Sequence, residues 1–346
     1  MLFQKEISAV DIGTSSIKVI RMQKSWNKLK LLAAEKIHLR EDILEDENGL
    51  AQLLRNIFTE LNYKPKNVTT AVSSKNVIIR NIEFPAMSDK ELTEALKLGA
   101  EEYLPFPVEN SMFKYLVLNN DGKKMEIMLA AIKEMVIDNY VKLFRKAEIE
   151  LEVINVQPMA LLSLVHHQLE IKDPVLIFEI GASGSRIIIG DEKNIYLVRD
   201  LKYGGKSFTD LIEASYSFRP EKAEKYKKRL NLKKEIEKEM NFNPDDNFSG
   251  DANIKTFSSL INHFTEELNI SLDFFHKKYS GLYLENIFFT GGGSQLQGLK
   301  SRITADLNTN LEIIDPLNNL PYDNKLDQEF SVALGLVASE VLDNEN

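Results

Sequence analysis

The chain has 346 residues, with 43 Lys and Arg against 52 Asp and Glu, and a net charge of −9. That length allows two globular domains or one two-lobed unit with a sizeable core, and the acidic balance argues against nonspecific nucleic-acid binding, which depends on a positive field. Cysteine is absent, which excludes disulfides, thiolate nucleophiles, iron–sulfur clusters and Cys-based zinc sites. The five histidines are scattered, and the adjacent His166 and His167 lack the i, i+4 spacing of a helical metal pair. No apolar run approaches the roughly 18 residues that span a bilayer, and no signal peptide is visible. The expectation is a soluble, cytoplasmic protein.

Residues 7–11 and 17–20 read as a strand pair around the polar turn Gly13-Thr14-Ser15-Ser16. A third strand is predicted over 29–38, then a helix over 49–61 whose Leu50, Leu53, Leu54, Ile57 and Leu61 share one face. Short strands at 67–73 and 77–84 complete a mixed sheet with a covering helix. Ser88 and Glu91 form a capping box for a helix predicted to reach Tyr103 and to stop at Leu104-Pro105-Phe106-Pro107. Strands follow at 112–118 and 125–132, turned at Asp121-Gly122, then a helix over 133–147 and a strand over 151–156. Residues of about 87–150 read as a small α+β insertion.

The segment 178–188 then repeats 10–20 at an offset of 168 residues. An acid (Asp11, Glu179), an isoleucine, a glycine, small residues and a base (Lys18, Arg186) before a β-branched run all align. Two such copies imply a duplicated domain: a first lobe over 1–173 and a second over 174–325, with a helical subdomain at about 206–284. Within it, 222–238 holds eight Lys and Arg against three Glu, a polar loop covers 241–253, and a long helix is predicted from 254 to 272 or somewhat beyond. A strand over 285–290 runs into Gly291-Gly292-Gly293-Ser294, a helix is predicted over 295–307, and a last helix over 328–342.

Three of these features carry chemistry. In Asp11-Ile12-Gly13-Thr14-Ser15-Ser16, a glycine turn lets backbone N–H groups and hydroxyls face phosphate oxygens, and Asp11 can hold Mg²⁺ through water. Glu179-Ile180-Gly181-Ala182-Ser183-Gly184 supplies a facing loop, so that a polyphosphate can be gripped from both sides. Glycines 291–293, ahead of a helix, allow close backbone approach to a nucleotide. Each alone is equally a plain turn; the three in this order point to a nucleotide cleft. Gln157-Pro158, at a strand end, either positions a water or is a strand-terminating X-Pro turn. Leu104-Pro105-Phe106 is either a helix stop packed in its own core or the edge of a partner groove. The basic 222–238 stretch is a solvated mixed-charge face, or a contact for an anionic membrane or an acidic partner.

The set resembles the actin-like ATPase superfamily, with Asp11–Ser16 as its phosphate-1 loop, Glu179–Ser183 as phosphate-2, Gly291–Ser294 as the adenosine motif, and Gly204-Gly205-Lys206 as the Gly-Gly turn after the second hairpin. Within it, Glu101-Glu102-Tyr103-Leu104-Pro105-Phe106-Pro107, Gly292–Leu299 and Val332–Leu336 resemble the PilM family of type IV pilus assembly. The resemblance implies an α/β, ribonuclease H-like actin fold of two duplicated lobes with a 1C-type insertion, the last helix returning to the first lobe. It implies ATP held by Asp11, Gly13, Thr14, Ser15, Ser16, Lys18, Glu179, Gly181, Ala182, Ser183, Gly205, Lys206, Gly291, Gly292, Gly293 and Ser294, with Mg²⁺ on Asp11 and Glu179 through water. Gln157 would position water, with weak or no ATPase activity.

The implied role is a cytoplasmic scaffold at the inner face of the membrane. It would bind the N-terminal peptide of a PilN-like membrane protein near Leu104, Pro105 and Phe106, and link the platform proteins to the motor ATPase, without nucleic acid and without inserting in the membrane itself. An FtsA-like filament protein and a small-molecule kinase are the alternatives. Two positions depart from the superfamily pattern: Glu179 replaces the usual aspartate, and the first loop lacks a second glycine.

Overall fold

The computed structural model describes residues 4–25, 28–40, 42–99, 102–239, 255–315 and 326–342. Strands β1 (Gln4–Ile12), β2 (Ser16–Ser25) and β3 (Lys28–His38) form an antiparallel meander, followed by α1 (Glu47–Glu60) and β4 (Val68–Val72). The Asp46 carboxylate caps α1 by accepting from Gly49 N at 3.0 Å. Then come β5 (Val77–Pro85), α2 (Asp89–Gly99), β6 (Ser111–Asn120), β7 (Lys124–Lys133) and α3 (Glu134–Lys146), before β8 (Leu151–Val156) and α4 (Gln157–Leu169) return to the first sheet. Its strand order is β3-β2-β1-β4-β8.

The second half runs β9 (Val175–Ile180), β10 (Ser185–Gly190), β11 (Ile195–Leu201), α5 (Gly205–Tyr216), α6 (Pro220–Lys227), α7 (Leu232–Glu239), α8 (Phe257–Lys278), β12 (Asn286–Thr290), α9 (Leu299–Leu307), β13 (Leu311–Ile313) and α10 (Ser331–Leu342). The order β11-β10-β9-β12-β13 reproduces the first sheet, with the same antiparallel and parallel neighbours. The repeat seen in eleven residues of sequence is thus a repeat of whole sheets.

Each sheet is covered on both faces, as strands with near-continuous apolar runs require. In β9, Leu176, Phe178 and Ile180 face a core with α5 and α8, where Phe178 stacks on Phe289 (5.6 Å) and meets Phe264 edge-on (5.4 Å). Val175 and Ile177 point the other way, into a core that the two sheets share with α4 and α10. Helix α10 is buried from Ser331 to Val341, and a Cβ at Gly335 would lie 2.0 Å from Ala160 O, so only glycine lets α10 cross α4 this closely.

Several elements differ from the sequence expectation for physical reasons. Strand β5, ahead of Met87, pairs with β7 in a separate sheet ordered β5-β7-β6, instead of with β4. The Ser88–Glu91 capping box forms, and α2 is described over Asp89–Gly99, with Tyr103 already in a turn outside it. The glycines at 291–293 lead into one 3-10 turn, Gly292–Gln295, and α9 begins only at Leu299, because Gly298 takes the left-handed conformation (φ +92°). Helix α8 is capped by Thr256 and Ser259 and runs on to Lys278, a 3-10 turn at Gln328–Phe330 precedes α10, and the polar loop at 241–253 lies outside the described residues.

One face of the β5-β7-β6 sheet carries α2 on Ile82, Met125, Ile127 and Leu129. The other reaches the second lobe. The Asn81 amide donates to the Tyr279 hydroxyl, Lys278 pairs with Glu126 at 3.4 Å, and Ile195 N approaches Met128 Sδ at 3.3 Å. The β5-β7-β6 sheet therefore leans on the second lobe, while α3 packs in the core of the first with α1.

Candidate functional site

Each of the two repeated hairpins brings an acid and a base seven residues apart into antiparallel register, Asp11 opposite Lys18 and Glu179 opposite Arg186. Lys18 Nζ lies 3.3 Å from Asp11 Oδ2, and Arg186 Nη1 lies 2.9 Å from Glu179 Oε2, all with little exposure. Burial works against the charge on Lys18, but Asp11, Glu329 and Glu179 outweigh it and hold its pKa above the ordinary lysine value. Burial drives the Glu179 pKa up, Arg186 opposes that, and the neighbouring Asp11 and Asp200 charges add to it.

The hairpins face each other across a cleft of about 360 Å³. Of the residues singled out in the sequence, Asp11, Ser15, Lys18, Glu179, Gly181, Ala182, Gly205, Gly291, Gly292 and Gly293 line it. The rest are placed around them. Gly13 closes the first turn through a 3.1 Å bond from its N–H to Ser16 O, Thr14 and Ser183 are exposed loop tips, and Ser16 is buried with its hydroxyl unpartnered. Lys206 is exposed, and its N–H donates to Ala182 O at 2.8 Å, fixing the second loop. Ser294 is buried and donates to Gly291 O at 2.7 Å. The glycine run also has a packing reason: Gly291 has φ +82°, with a Cβ there 2.5 Å from Ile180 O, and a Cβ at Gly293 would meet the Ile180 side chain at 2.1 Å.

Part of the lining carries no local signal in the sequence. Lys36 comes from β3, bonded to Glu329 (2.8 Å) and near Asp327 (3.6 Å). Phe208, Glu224, Lys227 and Lys228 come from the second lobe, with Lys227 Nζ held by Gly205 O (3.0 Å), Thr209 Oγ1 (2.9 Å) and Glu224 (2.6 Å). Glu224 and Lys227 were visible as an i, i+3 pair in the basic stretch, but nothing local signalled that they face a cleft.

Gln157 stands behind the cleft at the start of α4, and both ends of its amide are engaged: Nε2 donates to Asp11 Oδ1 (3.3 Å) and Oε1 accepts from Arg186 Nη2 (3.0 Å). In the insertion, Leu104 is 7% exposed and belongs to its core, Pro105 is exposed, and Phe106 is half-buried with Lys133 Nζ 5.5 Å from its ring centre.

The donor set suits a polyphosphate with a hydrated hard cation. One carboxylate comes from each hairpin, and Lys18, Lys36, Lys227 and Lys228 surround the space. No group of three or more metal-ligating side chains gathers among the described residues, so a cation here would keep most of its ligands from water and phosphate.

Two matching five-stranded sheets, facing hairpin loops and a cleft between them define an actin-like ATPase fold. The MreB5 protein of Spiroplasma citri, solved with AMPPNP, aligns over 99% of both chains at TM-score 0.52 and 15% identity. The ethanolamine utilization protein EutJ of Carboxydothermus hydrogenoformans aligns over 96% of this chain and 89% of its own at TM-score 0.55 and 13% identity. A structure described as the PilM-PilN type IV pilus biogenesis complex aligns over 96% of this chain and 98% of that one, at TM-score 0.79 and 27% identity. The chain matches the family described as type IV pilus assembly protein PilM over residues 9–336, and it belongs to that family. No helix among the described residues is long and apolar enough to cross a membrane.

Proposed function

We propose that this chain is a nucleotide-binding scaffold of type IV pilus assembly that carries a PilN-like partner at the membrane. The observation that carries the nucleotide half is the pair of hairpins facing one cleft, each offering a buried acid–base pair at matching register. The partner half is supported by family membership and by the likeness to a chain solved in complex with PilN.

In this reading Lys18 and Lys36 meet phosphate oxygens from the first lobe, Lys227 and Lys228 from the second, and residues 291–293 with Leu296 and Phe208 take the nucleoside. Asp11 and Glu179 would hold Mg²⁺ through water, and the ion would supply charge neutralisation at the phosphates. Gln157, with its amide bonded at both ends, is poorly placed to turn toward a water, so hydrolysis is slow or absent. Partner recognition falls to the insertion around Phe106 and the exposed Pro105, since Leu104 is committed to the core.

The test is a titration of the chain with Mg·ATP and with a peptide from the cytoplasmic N-terminus of a PilN-like protein. Both should bind saturably, and Phe106→Ala should weaken the peptide about tenfold, a loss of about 1.4 kcal/mol, while leaving nucleotide affinity unchanged. A peptide that does not bind would remove the partner half, and a cleft that takes no nucleotide would remove the other.

A further inference from the structure

Arg186 does more than neutralise Glu179. Its guanidinium donates to Glu179 through Nη1 (2.9 Å), to Asp200 through Nε (3.0 Å) and to Gln157 through Nη2 (3.0 Å), and Nη2 also approaches Ser73 Oγ at 3.5 Å. Those partners sit on β9, β11, the start of α4 and the end of the β4 segment, so one fork ties four pieces of both lobes. A planar guanidinium cannot shift one of these bonds without turning the others.

The same Asp200 Oδ1 also accepts from Ser74 Oγ at 2.6 Å. Ser74 is 3% exposed and opens the 3-10 turn Ser74–Asn76, which leads directly into β5 of the insertion. Next to it, Lys75 Nζ lies 3.3 Å from where a Cβ on Gly184 would be, so the root of the insertion rests on the second cleft loop. Beyond the root, Asn81 bonds Tyr279.

We propose that Arg186 is a positioning residue of the cleft and, through Asp200 and Ser74, transmits its occupancy to the insertion. The inference rests on the nucleotide-binding reading above. Were the Glu179 carboxylate to turn toward a cation in the cleft, it would loosen its bond to Arg186. As that pair loosens, the fork moves onto Asp200 and Gln157. Arg186 Nε and Ser74 Oγ share one Asp200 oxygen, so strengthening one bond weakens the other, and the turn that sets the start of β5 responds.

Hydrogen exchange followed by mass spectrometry tests this on the full chain, with and without saturating Mg·ATP, alongside a nucleotide titration. In the natural sequence Mg·ATP should change exchange in β5 and β7 by about fivefold, within the usual range of site-to-site coupling. Ser74→Ala and Asp200→Ala, which each remove a partner of the shared bond, should keep nucleotide affinity within about threefold, yet lose the change in β5 and β7. Arg186→Lys, which keeps the charge but not the fork, should lose it too. Retention of the full change in Ser74→Ala and Asp200→Ala overturns the relay, as does nucleotide binding with no change in β5 and β7 of the natural sequence. Absence of nucleotide binding would instead sink the functional reading, and the relay with it.

Discussion

The two hairpins share one design and differ in how they use their cations. On the first, Lys18 meets a single acceptor, Asp11, and its ammonium lines the cleft. On the second, Arg186 spends its donors on Glu179, Asp200 and Gln157 and does not line the cleft. A lysine is a point charge on a flexible stem, whereas an arginine is a rigid fork suited to several fixed acceptors. The two copies thus leave one cation facing the cleft and use the other to hold architecture.

The largest expected effect tests this division directly. Arg186→Met removes the counter-charge of a buried Glu179 and frees Gln157, and should cost about 3–5 kcal/mol of stability, read by urea unfolding. Lys18→Met should cost less stability, since only one acceptor loses its partner, but should weaken Mg·ATP by about 10- to 100-fold, equivalent to about 1.4–2.7 kcal/mol, read by titration. Equal stability losses with equal nucleotide losses would show that the hairpins are interchangeable.

The smallest effect is in pH dependence. The native state holds a proton on Glu179 above the pH at which the unfolded chain, with an ordinary value of 4.5, has released it. Native protein therefore binds more protons in that window, and stability falls as pH rises from 4.5 through the raised native value. Glu179→Gln should flatten that fall, so unfolding curves of the variant and the natural sequence should move apart in the variant's favour between acid and neutral pH. Movement the other way would mean that Arg186 dominates the site.

Much of this was readable from the chain. The repeat around Asp11 and Glu179 marked the two matching hairpins, because the spacing of acid, glycine and base follows their strand register. Residues that reach the site from afar left no such mark. Lys36, Asp327 and Glu329 converge only because β3 and the turn before α10 meet, and Asp200 and Ser74 are joined across 126 residues. Glycines 291 and 293 read as room for a ligand, yet their tightest neighbour is Ile180. The start of α9 was misplaced because the left-handed turn at Gly298 is a matter of backbone, not of apolar periodicity. Strand β5 looked like its neighbours in the first sheet, and only its pairing with β7 assigns it to the insertion.

The crossing of α10 over α4 at Gly335 has a consequence for synthesis. The apolar face that β1, β2 and α4 turn toward α10 is made early, and the helix that covers it is the last of the described elements to leave the ribosome. Until then the first lobe carries an open apolar surface of the kind that chaperones recognise. A side chain at Gly335 would block that final docking and expose the nascent chain's weakest moment.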